Sequence, residues 1–90
     1  MKELELEEAR GGYEKVDVMV KVDSYNTLIM AVENNLMTEE EVLDDRNRIR
    51  NYPLRKTKKS LFSMQMGYDI DETEAFFKKL EKEIHQKMHR

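Results

Sequence analysis

The 90 residues contain no cysteine, which excludes disulfide staples, thiolate metal sites and a cysteine nucleophile together. Proline occurs once and glycine three times, too few for many strands joined by tight turns. No apolar run approaches the ~20 residues of a membrane span. The opening Met1-Lys2-Glu3-Leu4-Glu5-Leu6-Glu7-Glu8 is acidic, the reverse of a signal peptide, so a cytoplasmic protein is expected. Neither sign of charge dominates. Sixteen Lys and Arg against nineteen Asp and Glu leave −3, which gives no overall pull towards nucleic acid or an acidic membrane.

What is present is charge and helical periodicity. Charged residues make up 39% of the chain, where an ordinary domain has about 25%. Such a short, charge-rich chain is expected to be one domain over residues 1–90, built from long exposed helices with a modest core. Val16, Val18, Val20 and Val22 alternate with polar or flexible neighbours, which alone reads as a half-buried strand. Over a longer window Val18, Val22, Tyr25, Ile29, Val32 and Leu36 fall at spacings of four and three, a heptad stripe. The stripe outruns the alternation and predicts a helix over Glu14 to Glu33, ended by Asn34-Asn35.

Thr38-Glu39-Glu40-Glu41 is a capping box, with Met37 and Val42 placed as a hydrophobic staple. A short second helix should follow through Val42 and Leu43 towards Ile49, stopped before Pro53. Asp71-Glu72-Thr73-Glu74 reads as a second capping pattern, with Asp71 as the cap. The helix it opens carries Phe77, Leu80, Ile84 and Met88 on one stripe, flanked by Phe76. The fold expected is all-α: three helices with heptad-type stripes, as a coiled-coil-like pair or small helical bundle.

An offset of 55 residues overlays Gly12-Tyr13-Glu14 on Gly67-Tyr68-Asp69 without a gap. The same offset overlays Val18 on Thr73, Val22 on Phe77, Tyr25 on Leu80 and Ile29 on Ile84. The chain thus reads as an internal repeat, 10–36 and 65–90, joined by a short helix and basic linker over 38–62.

The segment Gly67-Tyr68-Asp69-Ile70-Asp71-Glu72-Thr73-Glu74-Ala75-Phe76-Phe77 resembles the Gly-Tyr-Asp-x-x-Glu-Val-Asp-x-Phe-Leu signature of the DivIVA family of bacterial cell-division and polarity scaffolds. Met37-Thr38-Glu39-Glu40-Glu41-Val42 is similar to the Thr-Pro-Glu-(Glu/Asp)-Ile opening found upstream of that signature, and Arg10-Gly11-Gly12-Tyr13 looks like a weaker first copy. The resemblance implies a bacterial cytoplasmic module that dimerises through a parallel coiled coil. It also implies a loop before Gly-Tyr that offers an apolar and basic pair to a membrane. Gln65-Met66 and Arg10-Gly11 stand at those positions here, Thr73 replaces the usual Val, and the family's long coiled-coil tail is missing from these residues. Helix pairing is therefore the property expected to carry over. A homodimer is expected, with the Val18 to Leu36 stripe at its interface and the Phe77 to Met88 stripe alongside.

His85 and His89 lie four apart with Glu81 one turn earlier, a metal-ligand spacing, but two solvated residues near a helix end explain them as well. The acids Asp69, Asp71, Glu72 and Glu74 cluster at a helix start, where capping and the dipole account for them. Ser24, Ser60 and Ser63 have no histidine nearby in sequence. No enzyme, cofactor or metal is expected. The rival to an interaction module is the basic run Arg46, Arg48, Arg50, Arg55, Lys56, Lys58 and Lys59, which could hold the phosphates of nucleic acid or the headgroups of an anionic membrane surface. The net negative charge argues instead for a solvated face paired with the chain's own acids. Met19, Met30, Met64 and Met66 suit either core filling or an adaptable contact surface.

Overall fold

Gly12-Tyr13 and Gly67-Tyr68 meet as two extended segments, and each leads directly into a long helix. The computed structural model describes residues 5–58 and 65–89. Its elements in chain order are β1 (Glu8–Ala9), α1 (Lys15–Glu33), α2 (Glu39–Arg50), β2 (Gly67–Tyr68) and α3 (Ile70–Met88). The architecture is a small all-α bundle carrying a minimal two-stranded sheet. Strand β1 pairs antiparallel with β2, Glu8 opposite Tyr68 and Ala9 opposite Gly67. Tyr13 adds isolated bridges to Tyr68 and to Lys56. The alternation over Val16 to Val22 lies wholly inside α1, so the strand reading of that stretch gives way to helix.

Local chemistry sets each helix end. Glu14 precedes α1 without a side-chain cap, and its backbone N–H donates instead to the Arg55 carbonyl at 2.8 Å. At the other end Asn35 adopts φ 54°, the left-handed conformation that Asn tolerates. Asn35 N–H then donates to Val32 and Leu36 N–H to Ala31, a Schellman closure that satisfies two late carbonyls. This turn carries Leu36 out of the heptad stripe: it is 73% exposed, not a seam residue as its spacing suggests. For α2 the capping box forms in both directions, Glu41 N–H to Thr38 Oγ1 at 3.2 Å and Thr38 N–H to Glu41 Oε1 at 2.9 Å.

The cap of α3 is Asp69, not Asp71: its carboxylate accepts from Glu72 N–H at 3.0 Å. Both aspartates have a Glu three residues on, so the pattern alone is ambiguous. Pairing of Tyr68 with Tyr13 decides it, because the chain is extended through Tyr68 and free to turn immediately afterwards.

Helices α1 and α3 run side by side in the same direction, as their contacts advance together: Tyr13 to Glu74, Tyr25 to Phe77 and Glu81, Glu33 to Lys87. The core lies between them. Val18, Val22, Tyr25 and Ile29 of α1 and Thr73, Phe77, Leu80 and Ile84 of α3 are all buried. These eight positions are the four pairs that the 55-residue offset overlays. Leu28 extends the core towards α2, which supplies Val42 and Ile49. Burying one such aliphatic side chain contributes roughly 1.5–3 kcal/mol.

Candidate interaction surface

The heptad stripe expected at an interface between chains is filled from within one chain. Val18, Val22, Tyr25 and Ile29 face α3, Val32 is half-buried at the end of the seam, and Leu36 is in solvent. Ionic contacts flank the seam. Tyr25 Oη donates to Glu81 Oε2 at 2.6 Å, and Arg50 Nε reaches both Glu81 oxygens at 3.1 Å. Burial pushes the Glu81 carboxyl up, but hydrogen bonds from Arg50 and Tyr25 and the Arg50 charge carry it below its ordinary value. Burial, together with the bond to Glu81, raises the Tyr25 hydroxyl. The Lys87 ammonium closes the seam's far end on Glu33 at 2.6 Å.

Tyr13, Gly12 and Gly67, Tyr68 form the head of the seam, as the two Gly-Tyr motifs suggest. Tyr13 N–H donates to the Tyr68 carbonyl and Tyr68 N–H to the Tyr13 carbonyl, each at 2.9 Å. Tyr13 Oη donates to Glu74 at 2.7 Å, and that bond is the main reason its pKa is pushed up to about 12. Residues 53–57 strap this head to α1. Asp17, though acidic, is buried, and it accepts from Arg55 backbone N–H at 2.9 Å and from its guanidinium at 3.0 Å on both oxygens. The guanidinium and backbone bonds from Arg55 hold the Asp17 carboxyl below its ordinary value. Thr57 returns N–H and hydroxyl bonds to the Gly12 carbonyl.

Among the described residues, three of the seven residues of the basic run are paired within the chain. Arg50 pairs with Glu81, Arg55 with Asp17 and Arg48 with Asp45. Arg46 is half-buried, and its charge adds to the field at Glu81 and Tyr25. Lys56 and Lys58 are exposed, while Lys59 and the apolar patch Leu61, Phe62 and Met64 fall outside the described residues. Lys21, which the sequence does not single out, is buried and caps α2. Its ammonium donates to the Arg50 carbonyl at 2.9 Å and to that of Tyr52 at 3.4 Å, and stands 4.9 Å from the Phe77 ring centre.

His85 and His89 are exposed with ring centres 4.5 Å apart, but Glu81 is turned away to Arg50 and Tyr25. Among the described residues no three His, Asp or Glu side chains could converge on a metal ion, and no helix is long and apolar enough to cross a membrane.

What sequence reasoning missed is a second stripe on α1. Val16, Val20, Asp23, Thr27 and Met30 also fall at spacings of four and three, and every one is exposed. They are the inner stripe displaced by two residues, which is about 200° around a helix of 3.6 residues per turn. The valine alternation is the signal that could have found it, because steps of two alternate between opposite helix faces. The outer stripe continues at one end to exposed Met66, which shares a depression with Val16. At its middle it borders a half-open groove of about 530 Å³ between α1 and α2, walled by Val20, Leu28, Ala31, Met37, Ile49 and Tyr52.

Comparison of the chain with protein-family models, with curated proteins and with solved structures found no match.

Proposed function

We propose that the protein is a non-catalytic protein–protein interaction module of the DivIVA kind, a helical piece of a bacterial cytoplasmic assembly that self-associates or docks a partner. In that family two chains are expected to bring one Gly-Tyr turn and one stripe each to a parallel helix pair. The observation that carries the reading is that Tyr13 and Tyr68 exchange backbone hydrogen bonds at the head of two parallel helices within this single chain. With both halves of the pairing supplied internally, association falls to surfaces outside the seam, and α1 keeps an apolar one. Two of the acids weighed for acid–base work support the reading too, since Asp69 caps α3 and Glu74 accepts from the Tyr13 hydroxyl. A role in division or polarity is what the resemblance adds.

The experiment is light-scattering mass over a concentration series of the full chain, at low and high salt, with retention on anionic vesicles measured in parallel. The reading expects mass above the monomer that changes little with salt, because apolar association is not screened. A monomer at every concentration that binds anionic vesicles and releases them steeply with salt would overturn it in favour of anion binding.

A further inference from the structure

Resting on the interaction-module reading, we infer that the outer stripe of α1 is a docking face for a second copy of this chain, packed antiparallel with the two-fold axis passing between Asp23 and Thr27. A helix apolar on one stripe lies on a core with its other face in water; a helix apolar on two opposite faces belongs between two neighbours. α1 is of the second kind: among the described residues α3 covers its inner stripe and α2 packs at Leu28, and neither covers the outer one. Val16 is 66% exposed, Met19 51%, Val20 41% and Met30 62%, on a helix where solvated positions are expected to be polar.

The polar residues of the outer stripe select the occupant and its direction. In a parallel pair each stripe residue meets its own counterpart, so Asp23 would face Asp23 of the second copy, two carboxylates in a drying interface. An antiparallel pair centred at residue 25 places Val20 against Met30 of the second copy, Asp23 against its Thr27, and the reverse by symmetry. The Thr27 hydroxyl can then donate to the opposing carboxylate, twice per dimer, while Val20 and Met30 cover each other and Val16 meets Asn34 at the rim. Met19 falls opposite Ala31 of the second copy, a long flexible side chain over a small one. Met30 arrives at Val20, a wall of the α1–α2 groove, so the second copy also covers the groove mouth. The same chain therefore supplies partners for its own polar interruptions, and a polar residue at a stripe position sets register and orientation in paired helices. The face runs about 21 Å from Val16 to Met30 at 1.5 Å per residue, so the dimer should dissociate on dilution rather than be permanent.

The test is sedimentation equilibrium of the full chain and four variants, with circular dichroism as a check on folding. Val20→Glu and Met30→Glu change exposed positions and should keep helix content and thermal midpoint while weakening the dimer tenfold or more, since a carboxylate facing an apolar side chain of the second copy loses water and gains no partner. Thr27→Lys should tighten the dimer several-fold by facing Asp23, and Thr27→Asp should weaken it by a similar factor. A dimer unaffected by Val20→Glu overturns this face and leaves self-association standing elsewhere. A dimer weakened equally by Thr27→Lys and Thr27→Asp overturns the antiparallel register. A wild-type chain monomeric at every concentration overturns the second copy as occupant, whatever else the chain binds.

Discussion

Gly12 and Gly67 stand back to back: a β-carbon on Gly12 would lie 2.3 Å from the Tyr68 carbonyl oxygen, and one on Gly67 2.4 Å from that of Tyr13. In both cases the obstacle is backbone, which cannot swing aside as a side chain can. Any larger residue must push the two extended segments apart, and with them the paired Tyr13 and Tyr68 hydrogen bonds. Gly12→Ala and Gly67→Ala should therefore each cost about 2–3 kcal/mol, the scale of two buried backbone hydrogen bonds strained or lost. Urea unfolding midpoints at neutral pH would measure it. Either variant unfolding like the parent would show that the turns need not touch.

The seam gives a second prediction through contrast. Ile29 and Leu80 are 4% exposed each, whereas Leu36 is 73% exposed although it continues the same sequence stripe. Ile29→Ala and Leu80→Ala should each cost 2–5 kcal/mol, and Leu36→Ala should stay within about 0.5 kcal/mol. Ile29→Glu should unfold the chain, since its site is inside the monomer. If Leu36→Ala were as damaging as Ile29→Ala, the stripe would run past the Asn35 turn.

Much of this was open to reading in the sequence, and the failures have physical causes. Heptad spacing and the Thr38 capping box are local signals, and they place α1 and α2 closely: the expected Glu14 to Glu33 becomes Lys15–Glu33. The cap of α3 is local in form but was decided by pairing 55 residues away, so Asp71 looked as good as Asp69. Leu36 failed because a heptad count is blind to a left-handed Asn35. The ion pairs Asp17–Arg55 and Glu81–Arg50 join residues 38 and 31 positions apart and have no sequence signature. The outer face of α1 was visible all along in the Val16 to Val22 alternation. Alternation is the usual mark of a strand, and only inside a helix do its steps of two mean a second apolar face.

Thr73 provides a third prediction. It is fully buried, at the position that the 55-residue offset overlays on Val18, and its hydroxyl has no hydrogen-bond partner among the described residues. A desolvated hydroxyl without a partner costs about 1–3 kcal/mol. Thr73→Val removes it at almost the same shape and should stabilise by about 1 kcal/mol, raising the thermal midpoint by roughly 4–8 °C in a domain of this size. Thr73→Ser keeps the hydroxyl and loses the methyl, so it should lower the midpoint. A Val variant less stable than the parent would mean that the hydroxyl is satisfied after all.

The last prediction concerns pH and has two limbs of opposite origin. Arg55 holds the Asp17 carboxyl below its ordinary value through side-chain and backbone bonds, and the Thr38 N–H does the same for Glu41. Glu81 is also lowered, its bonds from Arg50 and Tyr25 outweighing burial. A carboxyl depressed in the folded state binds its proton less tightly there than when unfolded. Its stabilisation is complete above the ordinary carboxylate range and drains away as pH falls below about 4.5. Glu72, raised by burial, works against the other three over the same range. The alkaline limb comes from Tyr13, raised to about 12 mainly by its bond to Glu74, and Tyr25, raised mainly by burial. A tyrosine raised in the folded state keeps its proton better folded than unfolded, so stability is whole below pH 10 and falls as pH climbs past it. Urea midpoints across both limbs should trace a dome. Glu81→Gln and Asp17→Asn should flatten its acid side, and Tyr13→Phe and Tyr25→Phe its alkaline side, whatever each does to stability at neutral pH. An acid slope unchanged in both carboxyl variants would show that Asp17 and Glu81 titrate alike folded and unfolded, and that their arginines do not hold them.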